Sequence, residues 1–403
     1  MRPELTTRFT ILAVVFSSQE ATAEGVTGFR STTQFRHFFP QYSRVLQKIL
    51  HENCTVQYQT YLYNTPENST IDWFGGGGKY STLTQPVAGG LLEAIPQFIM
   101  SNMQSSQVLL GLAPTIMALW GPSSEESATL VVVGRRPLLS LLLALGSPSA
   151  YFGRACEFKN PLEILRKKEW ETWAYPSTPT SKALVLGLEY LAVLGAVLNL
   201  AMMNWHLVSR SVCAFSSEFM YMPVMWSVSM MIVNLIGVWW HSLRVQRKRV
   251  RRTGTWVDRI ATMLQYEFRL SVDNPGPIHA EQLKEGKLSV FLGWFLSAGS
   301  VLHIVFGTLL LSSLLFIRVQ DALAILGRMM ASVLTCRAIT MYELSGLRER
   351  FEDSSDKGTE LVRVGSRESD RSVVQIGMKK RAKTMPLMSA SLVSPRSVDR
   401  SLV

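Results

Sequence analysis

An apolar run at 219–240 is followed almost at once by a basic stretch, RVQRKRVRR at 244–252, in which six of nine residues are Arg or Lys. A run of this length crosses the hydrocarbon core of a bilayer as a helix, which rises about 1.5 Å per residue. Positive charge beside a crossing marks its cytoplasmic side. The junction therefore predicts both a membrane protein and its orientation.

The basic residues of this junction are expected to lie against the anionic lipid of the cytoplasmic leaflet, which attracts each with about 1 kcal/mol near the surface. They are Arg244, Arg247, Lys248, Arg249, Arg251 and Arg252. The net charge of +11 is carried mainly beside apolar runs and in the tail, and not among exposed aromatic residues. Nucleic acid is therefore not expected as a partner, and an unknown protein partner is expected besides lipid.

Further runs long enough to cross occur at 103–120, 183–204 and 288–317. Charged residues make up only 18% of the chain, below the quarter that soluble domains carry. These runs predict a transmembrane bundle over 103–344, with cytoplasmic loops at 121–182 and 241–287. The short loop after the second crossing holds one basic residue, Arg210, which places it outside.

Two segments are ambiguous. Arg135 and Arg136 stand in the middle of the apolar stretch 130–152, where a spanning helix would hold them at a cost of several kcal/mol. We expect 137–151 to be an interfacial or re-entrant segment on the cytoplasmic side. The segment 319–344 carries a polar stripe, and either spans with the stripe facing the bundle or lies on the surface. The stripe consists of Asp321, Arg328, Ser332, Thr335 and Glu343.

The tail after 344 favours a fifth crossing by 319–344, because its many basic residues are typical of cytoplasmic tails. Arg337 lies opposite the polar stripe and is expected to extend towards the interface. The tail at 345–403 is predicted to be disordered, since it is rich in Ser, Arg and Lys and poor in aromatic residues.

The first 23 residues have the pattern of a secretory signal peptide: basic Arg2 and Arg8, a short apolar core at 9–16, and the small-residue cleavage pattern of 21–23. Two glycosylation sequons follow, at Asn53 and Asn68. They predict that 24–101 forms a small luminal or extracellular domain. The plasma membrane or a secretory endomembrane is then the expected location.

Cys54 and Cys213 both lie outside under this topology, so an oxidising compartment allows a disulfide between them. Four unrelated thiols are the alternative. Neither Cys nor His residues have metal-ligand spacing, and no hydrolase motif is present. We therefore predict no metal, no cofactor and no enzymatic activity.

Polar residues within the predicted crossings are candidate functional residues, chiefly Glu189, Asn234 and His303. Glu189 could bind a proton and pair with His303. The alternative is that such side chains hold helices together by hydrogen bonds.

Three blocks of the chain, GLAPTIMALWG at 111–121, SSEES at 123–127 and GRRPLLSLLLALGSPSAY at 134–151, resemble a group of uncharacterised multi-pass membrane proteins of filamentous fungi. ALAILGRMMASVLTCRAITMYELSGLR at 322–348 is similar to the C-terminal part of that group. The resemblance implies a fungal plasma-membrane or endomembrane protein, and it implies no activity, cofactor or site residue.

Together these patterns predict an all-α integral membrane protein with four or five transmembrane helices, a small N-terminal outer domain and a disordered basic tail. The function favoured first is a non-enzymatic binding or organising role. The alternatives are a small-solute or ion transporter using Glu189 and a membrane accessory protein of a lipid or secondary-metabolite pathway.

Overall fold

A computed structural model describes residues 34–63, 81–149, 163–166, 175–215, 220–247, 256–273, 280–282 and 286–381. Its helices are α1 Ser43–Glu52, α2 Thr55–Tyr63, α3 Ser81–Ala94, α4 Gln97–Trp120, α5 Ser124–Val132, α6 Pro137–Gly146, α7 Glu163–Arg166, α8 Pro179–Arg210, α9 Met222–Arg244, α10 Trp256–Glu267, α11 Lys287–Ser312 and α12 Val319–Arg381. Its strands are β1 Val212–Cys213, β2 Val245–Arg247, β3 Ala280–Gln282 and β4 Leu314–Leu315.

Four helices in the described part of the chain are long and apolar enough to cross a membrane: α8, α9, α11 and the Val319–Phe351 part of α12. Their outer faces carry large exposed apolar side chains such as Leu191, Ile232 and Leu302. Apolar surface of this extent is stable against lipid and not against water. The chain is thus an all-α multi-pass membrane protein, as predicted, and the ambiguous segment 319–344 has the length and composition of a crossing.

The four helices lie antiparallel to their neighbours, and two short strand pairs mark the ends of the bundle. Strand β1 pairs with β4 where α8 and α11 end, with Cys213 opposite Leu314. Strand β2 pairs with β3 where α9 ends. We call these the Cys213 end and the Arg244 end. Helix α12 runs from the first to the second, since Glu343 lies near the start of α8 and Phe316 packs beside Val212.

Helix α4 covers the predicted first crossing, but it is not among the four. It packs antiparallel along α11: Ser106 donates to the Ile317 carbonyl at 2.6 Å, and Pro114 lies next to Gly307. It ends at mid-depth, where Gly121 meets Ser149 and the Pro148 carbonyl lies 3.4 Å from His303 Nε2. Helix α5 then continues towards the Arg244 end, so α4 and α5 cross the bundle as one broken helix.

Helix α6 returns from the Arg244 end into the bundle. It has ten residues and is therefore roughly 15 Å long, about half of the hydrocarbon thickness. Its last residue, Gly146, packs against Cys336 and Ala196, both near the middle of their helices. The segment predicted to be interfacial or re-entrant is thus a half-length helix over Pro137–Gly146, and residues 150 and 151 lie outside the described residues.

The described part of the predicted outer domain forms a small helical cluster at the Cys213 end. Helices α1, α2 and α3 bury apolar side chains such as Leu46, Leu50 and Leu91, which pack together with Val212 and Phe316 of the bundle. Residues 1–23, where a signal peptide is predicted, and Asn68 lie outside the described residues.

Helix α12 continues past its membrane-spanning part to Arg381, and its residues from Phe351 belong to a separate unit. The predicted tail at 345–403 thus begins within this helix. Residues 382–403 lie outside the described part.

Candidate functional site

The most unusual group of side chains is a buried ion cluster near the Arg244 end. Arg136 is 0% exposed, and its Nη1 lies 2.5 Å from Glu343 Oε1 and 3.1 Å from Glu189 Oε2. The two carboxylates are 1% and 6% exposed and lie within hydrogen-bonding reach of each other. Two acids therefore share one guanidinium out of contact with solvent.

The Arg136 guanidinium stays charged in this setting. Burial disfavours a charge, but the adjacent carboxylates of Glu343 and Glu189 stabilise the guanidinium in its charged form. The guanidinium also lies 5.6 Å from the centre of the Tyr190 ring, a cation–π contact. It therefore remains positively charged and can pair with either carboxylate.

A third buried carboxylate, Glu267, binds the start of α6. It accepts hydrogen bonds from the backbone N–H groups of Leu138 at 3.1 Å and Leu139 at 2.8 Å, and from the Tyr190 hydroxyl at 2.8 Å. The first N–H groups of a helix have no partner within it, and the helix dipole favours negative charge there. Glu267 is thus neutralised by α6, whereas Glu189 and Glu343 depend on Arg136.

The backbone between α5 and α6 places the Arg136 side chain next to Glu189 and Glu343. Helix α5 begins with a capping box, in which Ser123 and Glu126 exchange side-chain and backbone hydrogen bonds. It ends in a turn where Arg135 takes a φ of 60°, the left-handed region. The Arg135 guanidinium lies over the Tyr266 ring at 4.5 Å, so the two arginines point to different partners.

One acid of the cluster, Glu343, is also held by the segment after α10. Glu343 also accepts from the Ser271 hydroxyl, and from its backbone N–H at 3.3 Å. Beside the cluster, Lys182 pairs with Asp273 at 2.6 Å. The cluster thus joins α8, α12, the α5–α6 turn and the segment after α10.

Of the residues predicted from sequence, Glu189 lies in the cluster and His303 does not. Ser229 Oγ lies 2.9 Å from His303 Nδ1, and the His303 ring stacks on Trp226 with centroids 5.3 Å apart. The suggested pairing of His303 with Glu189 is therefore not formed. His303 packs helices together, which was the alternative.

Asn234 is buried in α9, and Arg244 near the end of the same helix differs from expectation. Arg244 is 2% exposed with its guanidinium 4.5 Å from the Trp240 ring centre, so it is not a surface contact to lipid. His241, one turn before Arg244, is 1% exposed. The side chain of Arg247 and residues 248–252 lie outside what the structure describes.

The predicted disulfide is not formed in the structure. Cys54 is a buried thiol in the small helical cluster, and Cys213 Sγ lies 3.1 Å from Ser313 Oγ. Burial and the nearby Glu93 raise the pKa of the Cys54 thiol, which keeps it unreactive. Asn53 is exposed at the end of α1, as glycosylation requires.

The polar stripe on α12 does face the bundle in part. Arg328 Nε donates to Asn199 Oδ1 at 2.9 Å, Asn199 donates to Ser332 at 2.8 Å, and Glu343 reaches Arg136. Arg337 does not extend to the interface as expected, since it forms an ion pair with Glu126 of α5. Arg328, Ser332 and Glu343 of the stripe thus have partners outside α12.

Sequence reasoning missed Arg136 as a site residue because it placed both arginines at the interface. Its acidic partners are far along the chain, and no local pattern connects them. The available signal was charge matching: two acidic residues in crossings, Glu189 and Glu343, need a cation at the same depth.

In the described residues no group of three His, Cys, Asp or Glu side chains is placed to hold a metal ion. Comparison of the chain with protein-family models, with curated proteins and with solved structures finds no match. The resemblance to fungal membrane proteins therefore stays a prediction.

Proposed function

We propose that this multi-pass membrane protein is a proton-linked transporter of a small solute, and that the cluster of Arg136, Glu189 and Glu343 binds the proton. The observation that supports this most is the burial of two adjacent carboxylates on one guanidinium. Ionisable groups at membrane depth mark ion and proton pathways more often than other sites.

The charges in direct contact do not balance, which is the physical reason for proton binding. One positive and two negative groups leave one excess negative charge, and Glu267 nearby adds a third carboxylate that α6 compensates. An uncompensated buried carboxylate is costly, and two adjacent ones cannot both stay ionised at low cost. A proton shared by Glu189 and Glu343 removes the excess.

Proton binding changes which helices Arg136 holds together. With Glu189 protonated, the guanidinium is held by Glu343 of α12 alone, and α8 loses its ionic contact with the α5–α6 turn. Loss of the proton restores that contact. The proton thus favours one of two arrangements of α8 against α5 and α6, which is the kind of coupling that a proton-linked transporter needs.

The broken crossing supports the same proposal. Helix α4 stops at Trp120 and α5 starts at Ser124, while α6 ends at Gly146, all within the depth of the bundle. Irregular backbone at membrane depth is tolerated where it lies inside protein or lines a cavity, and transporters place their sites at such breaks.

A binding or organising role, which the sequence alone favoured first, is the second candidate. It is supported by the continuation of α12 to Arg381, beyond the spanning part. A chain ended after Arg350 would lose its partner under that role and keep solute-driven proton movement under the transport proposal. The plasma membrane or secretory pathway is the proposed location, supported by the exposed sequon at Asn53.

Infrared spectroscopy of the purified protein in lipid tests the shared proton. At neutral pH the wild type is expected to show the carbonyl stretch of a protonated buried carboxylic acid. Glu189→Gln and Glu343→Gln should each abolish it, because one remaining acid is neutralised by Arg136. Glu52→Gln, at an exposed acid, should keep the band.

Transport is tested in proteoliposomes that contain a pH-sensitive dye. Solutes added outside should move protons inward with the wild type and with Glu52→Gln, and not with Glu189→Gln. A wild type without the carboxylic-acid band, or proton movement that survives in both cluster variants, would contradict the proposal.

A further inference from the structure

Helix α10, outside the four spans, carries large apolar side chains that the described part of the protein leaves about half exposed. Met263, Leu264 and Phe268 are 51%, 48% and 54% exposed. Phe268 continues the last turn of the helix, since its N–H donates to the Leu264 carbonyl at 3.1 Å. Residues four apart lie on the same side of a helix, so Leu264 and Phe268 form one apolar surface.

The end of α10 is fixed to the bundle by its polar side chains. Glu267 accepts from the backbone at the start of α6 and from the Tyr190 hydroxyl, and the Arg135 guanidinium lies over the Tyr266 ring. Leu264 and Phe268 remain exposed although the helix is held at this position. Their exposure is therefore a property of the packed structure at the Arg244 end.

Contacts with α8 give the depth of this apolar surface. The Phe268 ring lies 5.6 Å from the ring of Tyr190, which is seven residues, or about 10 Å, into the apolar run that starts at Ala183. Lys182, just before that run, pairs with Asp273 at 2.6 Å. Phe268 thus lies at the depth of the upper acyl chains, since interfacial helices bury their apolar face by about 5–10 Å.

The lipid-facing surface of α8 continues onto Phe268. Gly187 and Leu194 lie about one turn before and one turn after Tyr190 along α8. A Cβ on Gly187 would meet nothing within 4 Å among the described residues, and Leu194 is exposed. The side chains next to the Tyr190–Phe268 contact therefore already face lipid, and apolar surface is stable there and not in water.

We propose that α10 is an interfacial helix, with Met263, Leu264 and Phe268 inserted among the upper acyl chains of phospholipid in the leaflet at the Arg244 end. Arg269, which is exposed and next in the chain, supplies a cation for the lipid phosphate. This contact with lipid does not depend on the proposed proton transport.

Photo-crosslinking of the unmodified full-length protein in phosphatidylcholine nanodiscs tests the contact. A phosphatidylcholine with a diazirine near the glycerol end of its acyl chain should label the tryptic peptide 260–269, which holds all three apolar side chains. A diazirine at the far end of the acyl chain should label this peptide about fivefold less, relative to peptide 288–318, which contains the exposed Leu302 of a span.

Two results of the crosslinking would overturn the proposal. Label on 288–318 with none on 260–269 would mean that water, a second copy of the chain or another segment covers α10. Label on both peptides in the same proportion from both probes would place α10 in the middle of the bilayer and not at its boundary.

Spin labels test which side of α10 meets lipid. In a chain whose four native cysteines are replaced by alanine and whose thermal midpoint is retained, Leu264→Cys is compared with Thr262→Cys. Thr262 is two residues away, on the opposite side of the helix, and its hydroxyl bonds to the Asp258 carbonyl in an exposed position.

Oxygen concentrates in lipid and a nickel chelate stays in water, so the ratio of their collision rates reports the surroundings of each label. The ratio should be about tenfold higher at Leu264→Cys than at Thr262→Cys. Equal ratios, or a label at Leu264→Cys that neither reagent reaches, would refute insertion into lipid, the second because it would mean that protein covers this side.

Discussion

Arg136 is the residue on which the packing of the Arg244 end depends most. Its side chain is fully buried and joins acids from two different helices, with a third acid holding the helix that follows it. A charge at this depth is stable only because its partners are equally buried. One substitution here therefore affects three helices at once.

Arg136→Gln is expected to lower the free energy of unfolding by about 3–5 kcal/mol, because it leaves buried carboxylates without a counter-charge. Arg135→Gln is the matched control, because Arg135 is the adjacent residue in the same turn and is only partly buried. The measurement is the unfolding midpoint in detergent, monitored by size-exclusion chromatography.

A triple variant separates charge from packing. Arg136→Gln combined with Glu189→Gln and Glu343→Gln removes all three charges and should regain most of the lost stability. A triple variant no more stable than Arg136→Gln alone would mean that the cluster acts through shape and not through charge.

At the scale of the helices, close contacts hold the broken α4–α5 crossing in place. Helix α4 lies against α11 along its length, with Pro114 next to Gly307 and Gly111 next to Ser312. Gly307 also faces Trp226, whose indole donates to the His303 carbonyl at 3.2 Å. Membrane helices associate mainly through such small residues, because lipid leaves little hydrophobic drive between them.

Gly307→Ala should destabilise the bundle by about 1–3 kcal/mol, the usual effect of overpacking a full core. The new Cβ would lie 2.3 Å from Trp226 Nε1, and Trp226 is fully buried. Thermal midpoints in detergent measure the effect.

Gly195→Ala is the matched control for this substitution. Gly195 is also within a spanning helix, but a Cβ there meets nothing within 4 Å. It should leave the midpoint unchanged. Equal losses from the two glycines would show that helix flexibility, and not the contact with Trp226, is what matters.

For the whole molecule, the contacts place the described outer helices and the end of the α12 span at opposite ends of the bundle. Phe316 packs with α1–α3 at the Cys213 end, and Arg350 donates to the Ser271 carbonyl at 3.0 Å near the Arg244 end. Opposite ends require an odd number of crossings. Four continuous spans and the broken α4–α5 crossing satisfy this.

Sealed microsomes should therefore protect Asn53 and expose Arg350 to external protease. A glycan is expected on Asn53 and should be lost in Asn53→Gln, while a protease site inserted at residue 350 should be cut without detergent. Protection of both positions, or exposure of both, would contradict the odd number of crossings.

Length and apolarity were enough to predict the all-α membrane class and three of the spans directly. A helix in lipid must satisfy its own backbone, so a long apolar run has little choice of structure. Helix α8 and helix α9 begin and end within a few residues of their predicted runs, apart from polar turns that extend them. The span in 319–344 was predicted only with help from its basic tail.

Partners across helices were decided by tertiary structure alone. Nothing near Arg136 in the chain indicates Glu189 or Glu343, and nothing near Gly237 indicates Ser124, since these contacts join residues far apart in sequence. The same holds for the break in the first crossing and for His241, which looks interfacial by position yet is buried. A local pattern determines how long a helix is and which residues can be in lipid; which charges meet depends on how the helices pack, and that is a property of the whole bundle.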